Sequence, residues 1–190
     1  MRDYEQCDYY SELAGKNYAD MFPDEKHFYL NNRGNSYYYR GDYSTAIGYF
    51  RKVVELVKDY PDMSWALNLS YLNLSDCFLQ LNKTDSVVKY LELCQPFFEE
   101  LGSTTALYYI DTQKIELALQ CKDFAEARRL LAMSKASPEI DADMIHIRNK
   151  YLQQFYEETG NYRQAYDYLK ENKRCLLYTS PSPRDISGSR

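Results

Sequence analysis

The sequence has little of what catalysis and metal binding usually draw on. It holds two histidines in 190 residues, His27 and His146, and neither stands at a metal-ligand spacing. There is no G-x-S-x-G, no phosphate-cradling glycine loop and no H-E-x-x-H, which excludes the common nucleophile, nucleotide and zinc-protease signatures. The adjacent carboxylates Glu99-Glu100 and Glu157-Glu158 point about 100° apart on a helix and form no acid–base pair. Five cysteines, at 7, 77, 94, 121 and 175, include no C-x-x-C. The first four fall on periodic apolar faces, where buried thiols are expected rather than disulfides or metal ligands. Basic runs are missing too. With a net charge of −5 and a pI near 5.2, the chain lacks the footprint of a nucleic-acid binder and offers nothing to hold an anionic membrane. No stretch approaches the roughly 20 apolar residues of a membrane span, and the opening M-R-D-Y-E-Q-C-D-Y-Y has acids where a secretory signal needs an apolar core. These absences predict a chain with no catalytic residues, no cofactor and no metal.

What the sequence does have is tyrosine and repetition. Its 21 tyrosines supply ring faces to bury and hydroxyls to keep wet, which suits helix–helix seams. Trp65, Tyr9-Tyr10 and Tyr37-Tyr38-Tyr39 are read as such seam packing. A short signature recurs: M-R-D-Y at Met1, R-G-D-Y at Arg40, C-K-D-F at Cys121 and T-G-N-Y at Thr159, with a fifth copy, L-N-K-T at Leu81, that has lost its aromatic. The fourth positions are Tyr4, Tyr43, Thr84, Phe124 and Tyr162, at intervals of 39, 41, 40 and 38. A regular period of this size predicts a repeat array whose units bury their apolar faces on one another.

Each period reads as two helices. Asp24 suits an N-cap before the run His27 to Tyr39, and Gly41 suits a left-handed residue past its end. Asp42 or Ser44 can cap the next helix, in which Ala46, Ile47, Phe50, Val53, Val54 and Val57 recur three and four apart. Pro61 stops it. The same cycle predicts helices over 62–81, 84–101, 104–121, 123–136, 139–159 and 161–174, with Gly102 and Pro138 as stops. An orphan second helix is expected over 3–20, ended by Pro23. Pro96 is expected to kink 84–101 or split it after Cys94. No two-residue alternation is sustained, so no sheet is expected.

This pattern resembles the tetratricopeptide repeat, in which small residues stand at positions 8, 20 and 27, an aromatic at 11 and an aromatic or leucine at 24. The unit near Lys26 supplies Gly34, Tyr37, Ala46, Phe50 and Val53. The next supplies Ser75, Phe78, Val87, Leu91 and Cys94. The third supplies Ala118, Ala127, Leu131 and Ser134, with Ile115 in place of the small residue and with Asp111 and Lys114 where apolar residues are expected. The last supplies Tyr156, Ala165 and Leu169, with Gln153 at position 8. The resemblance covers residues 1–174 and implies an all-α fold, a right-handed superhelix of antiparallel helix pairs (an α-solenoid) with about four and a half repeats. Its units are expected near 1–23 (partial), 24–61, 62–102, 103–138 and 139–174.

By that resemblance, a protein or peptide ligand would lie in the concave groove against positions 5 and 9 of each first helix. These are Asn31 and Asn35, Leu72 and Asp76, Thr112 and Glu116, and Lys150 and Gln154. The set lacks the several basic residues that grip an acidic C-terminus, so a neutral, partly apolar or basic segment is expected. The implied role is a binding scaffold in a larger, regulatory, bacterial protein, with a peptide sensor that changes curvature as the competing reading. The compartment would be the cytoplasm, or the periplasm if a signal peptide precedes Met1. Residues 175–190 resemble a translated sequencing adapter and are expected to be a non-native, disordered tail. Met1 aligns inside a turn, so the sequence is expected to be a fragment of a longer protein. Ala46→Arg, which forces a charge into a close helix contact, is expected to cost roughly 3 kcal/mol or more. A cooperative thermal melt near the parent's midpoint would contradict the alignment.

Overall fold

A computed structural model describes residues 4–133 and 142–179. They are helical throughout their ordered elements, with no strand among the described residues. The chain divides into two compact units, Met1–Gly102 and Ser103–Arg190. The first holds α1 (Tyr4–Gly15), α2 (Pro23–Tyr39), α3 (Tyr43–Val57), α4 (Ser64–Gln80) and α5 (Thr84–Leu101), with short 3-10 turns at Tyr18–Asp20 and Pro61–Met63. The second holds α6 (Thr104–Gln120), α7 (Phe124–Met133), α8 (Ala142–Glu158) and α9 (Tyr162–Thr179). In the first unit α2 packs on α3, α3 on α4 and α4 on α5. In the second α6 packs on α7 and on α8, and α8 packs on α9. This is a tetratricopeptide-like α-solenoid in its pairing.

The recurring signature is a turn with one hydrogen-bond pattern. At the end of α2, Gly41 takes φ +80°. Its N–H donates to the Tyr38 carbonyl at 2.9 Å, and the Asp42 N–H donates to the Tyr37 carbonyl at 3.0 Å. That is the double bond of a Schellman motif, which satisfies carbonyls the helix would otherwise leave open. Asp42 then caps α3 by accepting the Thr45 N–H at 3.1 Å. Asn82, Lys122 and Gly160 repeat the left-handed conformation with φ of 54°, 57° and 79°. The next N–H, from Lys83, Asp123 and Asn161, reaches Phe78, Ala118 and Tyr156 in turn, at 2.9, 2.8 and 2.8 Å.

Small residues set how close the helices come. Ala46, Val87, Ala127 and Ala165 are all buried. A methyl group placed on Gly34 would lie 2.5 Å from the Phe50 ring, so α2 and α3 meet at a distance only glycine permits. Where Ile115 replaces the small residue in α6, it is fully buried. Across the pairs runs a feature the sequence reading did not single out. Tyr37 stacks on Tyr49, Phe78 on Tyr90 and Tyr156 on Tyr168, with centroids 5.5, 5.6 and 5.8 Å apart and planes within 12° of parallel. Each such pair is worth about 0.5–1.5 kcal/mol beyond burial. In the third pair the equivalent positions are Ala118 and Leu130, which join one apolar core with Tyr151 and Phe155 of α8 instead.

Several expectations need correction. The second helix starts at Pro23, with Phe22 rather than Asp24 as its cap. Proline has no N–H to leave open in a first turn, and the Glu25 carboxylate accepts the Phe22 N–H at 2.8 Å. Residues 3–20 are not one helix: α1 ends at Gly15 and a 3-10 turn follows. Pro96 does not split α5, which runs unbroken to Leu101 before a left-handed Gly102. The last helix continues to Thr179, past the predicted end at Arg174. Cys77 and Cys94 are buried, and burial pushes the Cys77 thiol up to about 12, which keeps it inert. Cys121 is exposed, because it is the C-cap of α6 in the signature turn. The side chains of Cys7 and Cys175, the stop at Pro138, Ser134 and the tail 180–190 lie outside the described residues.

Two substitutions test this reading. Gly34→Ala gains helix propensity but collides with Phe50, and a net loss of about 1–3 kcal/mol is expected in urea denaturation. Lys122→Gly relieves an exposed left-handed residue and is expected to stabilise by about 0.5–1 kcal/mol. A loss of stability there would show that the turn imposes no strain.

Candidate functional site

The first helix of each pair carries the positions expected to face a ligand, and the structure treats them unequally. In α2, Asn31 and Asn35 are half-buried. Asn31 is already engaged: its Oδ1 accepts the Asn73 Nδ2–H from α4 at 3.1 Å. In α4, Leu72 and Asp76 are 2% and 6% exposed, so neither is presented to solvent. Thr112 in α6 is also buried, and its hydroxyl donates to the Tyr108 carbonyl at 2.8 Å. Glu116 accepts the Tyr151 hydroxyl of α8, a contact that ties two first helices together. Lys150 is exposed, and Gln154, half-buried, donates to Glu158 at 2.7 Å. Of the eight positions, Asn31 and Asn35 are thus the ones that share a partly open face within the first unit.

That face is richer than expected. Phe28 and Tyr39 lie 62% and 58% exposed on the same helix. At 100° per residue, positions 28, 31, 35 and 39 fall within one stripe less than a quarter-turn wide. Tyr39 was read as seam packing; instead it points out, while Tyr37 stacks on Tyr49 and Tyr38 meets Tyr43 edge-on. Tyr9 and Tyr10 are likewise exposed, and Trp65 is only half covered, edge-on to Phe97 and Phe98. A hydrophobic pattern places an aromatic on a helix but does not say which of three consecutive tyrosines faces inward. The aromatic at Phe28, one turn before Asn31, was the available signal.

Charge is concentrated elsewhere. Asp8 of α1 meets two arginines of α2. Arg40 donates to both of its oxygens at 2.8 Å, and Arg33 donates to one at 3.1 Å. Arg40, foremost, and Arg33 hold the Asp8 carboxyl below its ordinary value. The interaction is therefore complete above the ordinary carboxylate range and lost as pH falls through the lowered value. In the second unit, burial pushes the Asp111 carboxyl up, while Lys114, Arg148 and Arg129 draw it back. Arg148 lies over the Tyr108 ring and donates to the Leu131 carbonyl at 2.9 Å, so this cluster closes the end of α7. Among the described residues no group of His, Cys, Asp or Glu could hold a metal, and no helix is long and apolar enough to cross a membrane.

Comparison with known proteins agrees with this architecture. No curated protein matches the sequence. Among solved structures, the chain is similar to BtubC (BKLC) from P. vanneervenii, at 16% identity and a TM-score of 0.67, covering 95% of this chain and 77% of that one. At that identity the likeness speaks for the fold. The family model of the tetratricopeptide repeat matches residues 27–60, the stretch of α2, its Schellman turn and α3. Such repeats generally mediate contacts between proteins and are typically non-catalytic. Residues 27–60 thus match a tetratricopeptide repeat, set in a chain whose helices pack in pairs throughout the described residues.

Proposed function

We propose that this chain is a non-catalytic scaffold that binds an extended or helical protein segment along the open stripe of α2. The observation that carries this reading is the pair of exposed rings, Phe28 and Tyr39, flanking Asn31 and Asn35 on one face. Aromatic side chains offer large contact area at low entropic cost. An asparagine offers both a donor and an acceptor to a peptide backbone. Asn35 supplies these at mid-stripe, while Asn31, pinned by Asn73, presents a fixed geometry. With no cation on the stripe and a net charge of −5, the favoured ligand is neutral, partly apolar or basic rather than an acidic tail. In the other first helices, Lys150 and Gln154 remain candidates for the same ligand class. Leu72, Asp76 and Thr112 are left as packing positions. The long, tyrosine-rich repeats support placing the array in a larger regulatory protein of bacterial type.

Panning a random peptide library on the chain tests the site. The selected peptides are expected to be poor in Asp and Glu. Their affinity is expected to fall about tenfold or more with Phe28→Ala or Tyr39→Ala, the loss typical of an exposed aromatic anchor. Binders indifferent to both substitutions would place the ligand elsewhere.

A further inference from the structure

In α1, α3 and α7 the same register position meets the next first helix, and its chemistry changes from seam to seam. In α3 this knob is Ile47. It shares one apolar core with Leu74 and Cys77 of α4, with Leu81 packed against the cluster. In α7 it is Arg128, which lies over the Phe155 ring of α8 at 5.9 Å. In α1 it is Asp8. The positions matching Leu74, Cys77 and Leu81 are here Arg33, Ser36 and Arg40. The ion pair between α1 and α2 therefore occupies the place that an apolar knob and socket hold one repeat later.

Two observations separate this seam from the others. First, the described side chains of α1 other than Asp8 stay near the surface. None of them is buried. Tyr9, Tyr10 and Leu13 stand 63%, 64% and 47% exposed. Second, the socket is organised from the α2 and α3 side without Asp8. The Arg33 guanidinium lies 5.1 Å from the Tyr37 ring centre and 5.7 Å from that of Tyr49, and it donates to the Tyr37 hydroxyl at 3.0 Å. Arg40 lies 5.5 Å from the Tyr37 ring and donates to Ser36 at 3.1 Å. The stacked tyrosines and the serine thus aim two guanidinium forks at one point, which lowers the ordering cost of recognising a carboxylate.

We propose that Arg33, Ser36 and Arg40 form a carboxylate socket for a helix, that α1 occupies it through Asp8, and that an amphipathic helix of a partner protein bearing one acidic knob takes the place of α1. The socket lies at the α1–α2 seam and uses none of the stripe residues Phe28, Asn31, Asn35 or Tyr39. A failed groove therefore leaves it standing, and the reverse holds too. The charge of the knob identifies the partner: an apolar or basic knob would strand two arginines that are 11% and 22% exposed. An ionic hold of this kind is screened by salt, whereas the Ile47 seam is not.

Two measurements on the full chain test the exchange. In hydrogen exchange, α1 amides are expected to lose protection relative to α3 as NaCl rises from about 50 to about 500 mM, and in Asp8→Asn at low salt. A labelled synthetic peptide covering residues 3–20 is then titrated onto Asp8→Asn and onto the parent. It is expected to bind the variant at least about tenfold more tightly than the parent, and a peptide carrying Asp8→Asn is expected to lose that advantage, as a desolvated charge pair requires. Unchanged protection of α1 in both salt and Asp8→Asn would overturn the proposal. So would equal binding of the acidic and neutral peptides, or no binding of either.

Discussion

Everything in this fold depends on reversing the chain within a few residues while leaving no helical carbonyl open. One left-handed residue does this at the end of α2, α4, α6 and α8, and the following N–H returns to the carbonyl five positions earlier. The acceptor is the residue at the aromatic position, Tyr37, Phe78, Ala118 or Tyr156. The turn therefore fixes where that side chain stands relative to the helix about to begin. Three of the four acceptors stack flat on a tyrosine of the next helix. Turn and ring stack are one device, with the backbone setting the angle and the rings holding it.

Within a pair, packing varies little apart from α6–α7, which lacks the ring stack; between pairs it changes in kind. Small residues and buried Phe50, Val53 or Leu91 repeat with little variation, because two helices at close range accept few shapes. The seams carry an ion pair, an apolar side chain in a mixed core and an arginine on an aromatic ring at matching positions. The open stripe of α2 adds a third kind of surface, with Phe28 and Tyr39 outside and Asn31 held from behind by Asn73. Three sides of one helix, α2, thus serve closure, stacking and display.

Much of this was legible in the residues. The period, the helix pairs and the buried Ala46, Phe50 and Val53 follow from turn residues and three-four spacing, which are local properties. What was not legible depends on neighbours. Leu72, Asp76 and Thr112 occupy formal ligand positions yet are buried, since a register number says nothing of how deep a position lies. Pro96 is expected to kink α5 or split it after Cys94, and the split does not occur, because a helix packed along one face tolerates the loss of one N–H. Asp24 was read as a cap, but Pro23 makes an earlier start cheaper. Tyr49, Tyr90 and Tyr168 share a position that the signature does not include, so the ring stack depends on how the helices are placed rather than on the repeat pattern.

The uneven seams have a genealogical consequence. Arrays of interchangeable repeats gain and lose units freely when similar stretches of a gene recombine. In this chain such a deletion, removing α2 and α3, would set the Asp8 carboxylate against Leu74, Cys77 and Leu81. That apolar socket offers the carboxylate no partner, so the new seam would be weaker than either of the two it replaced. At this seam the order of the helix pairs is thereby favoured by chemistry as well as by shape.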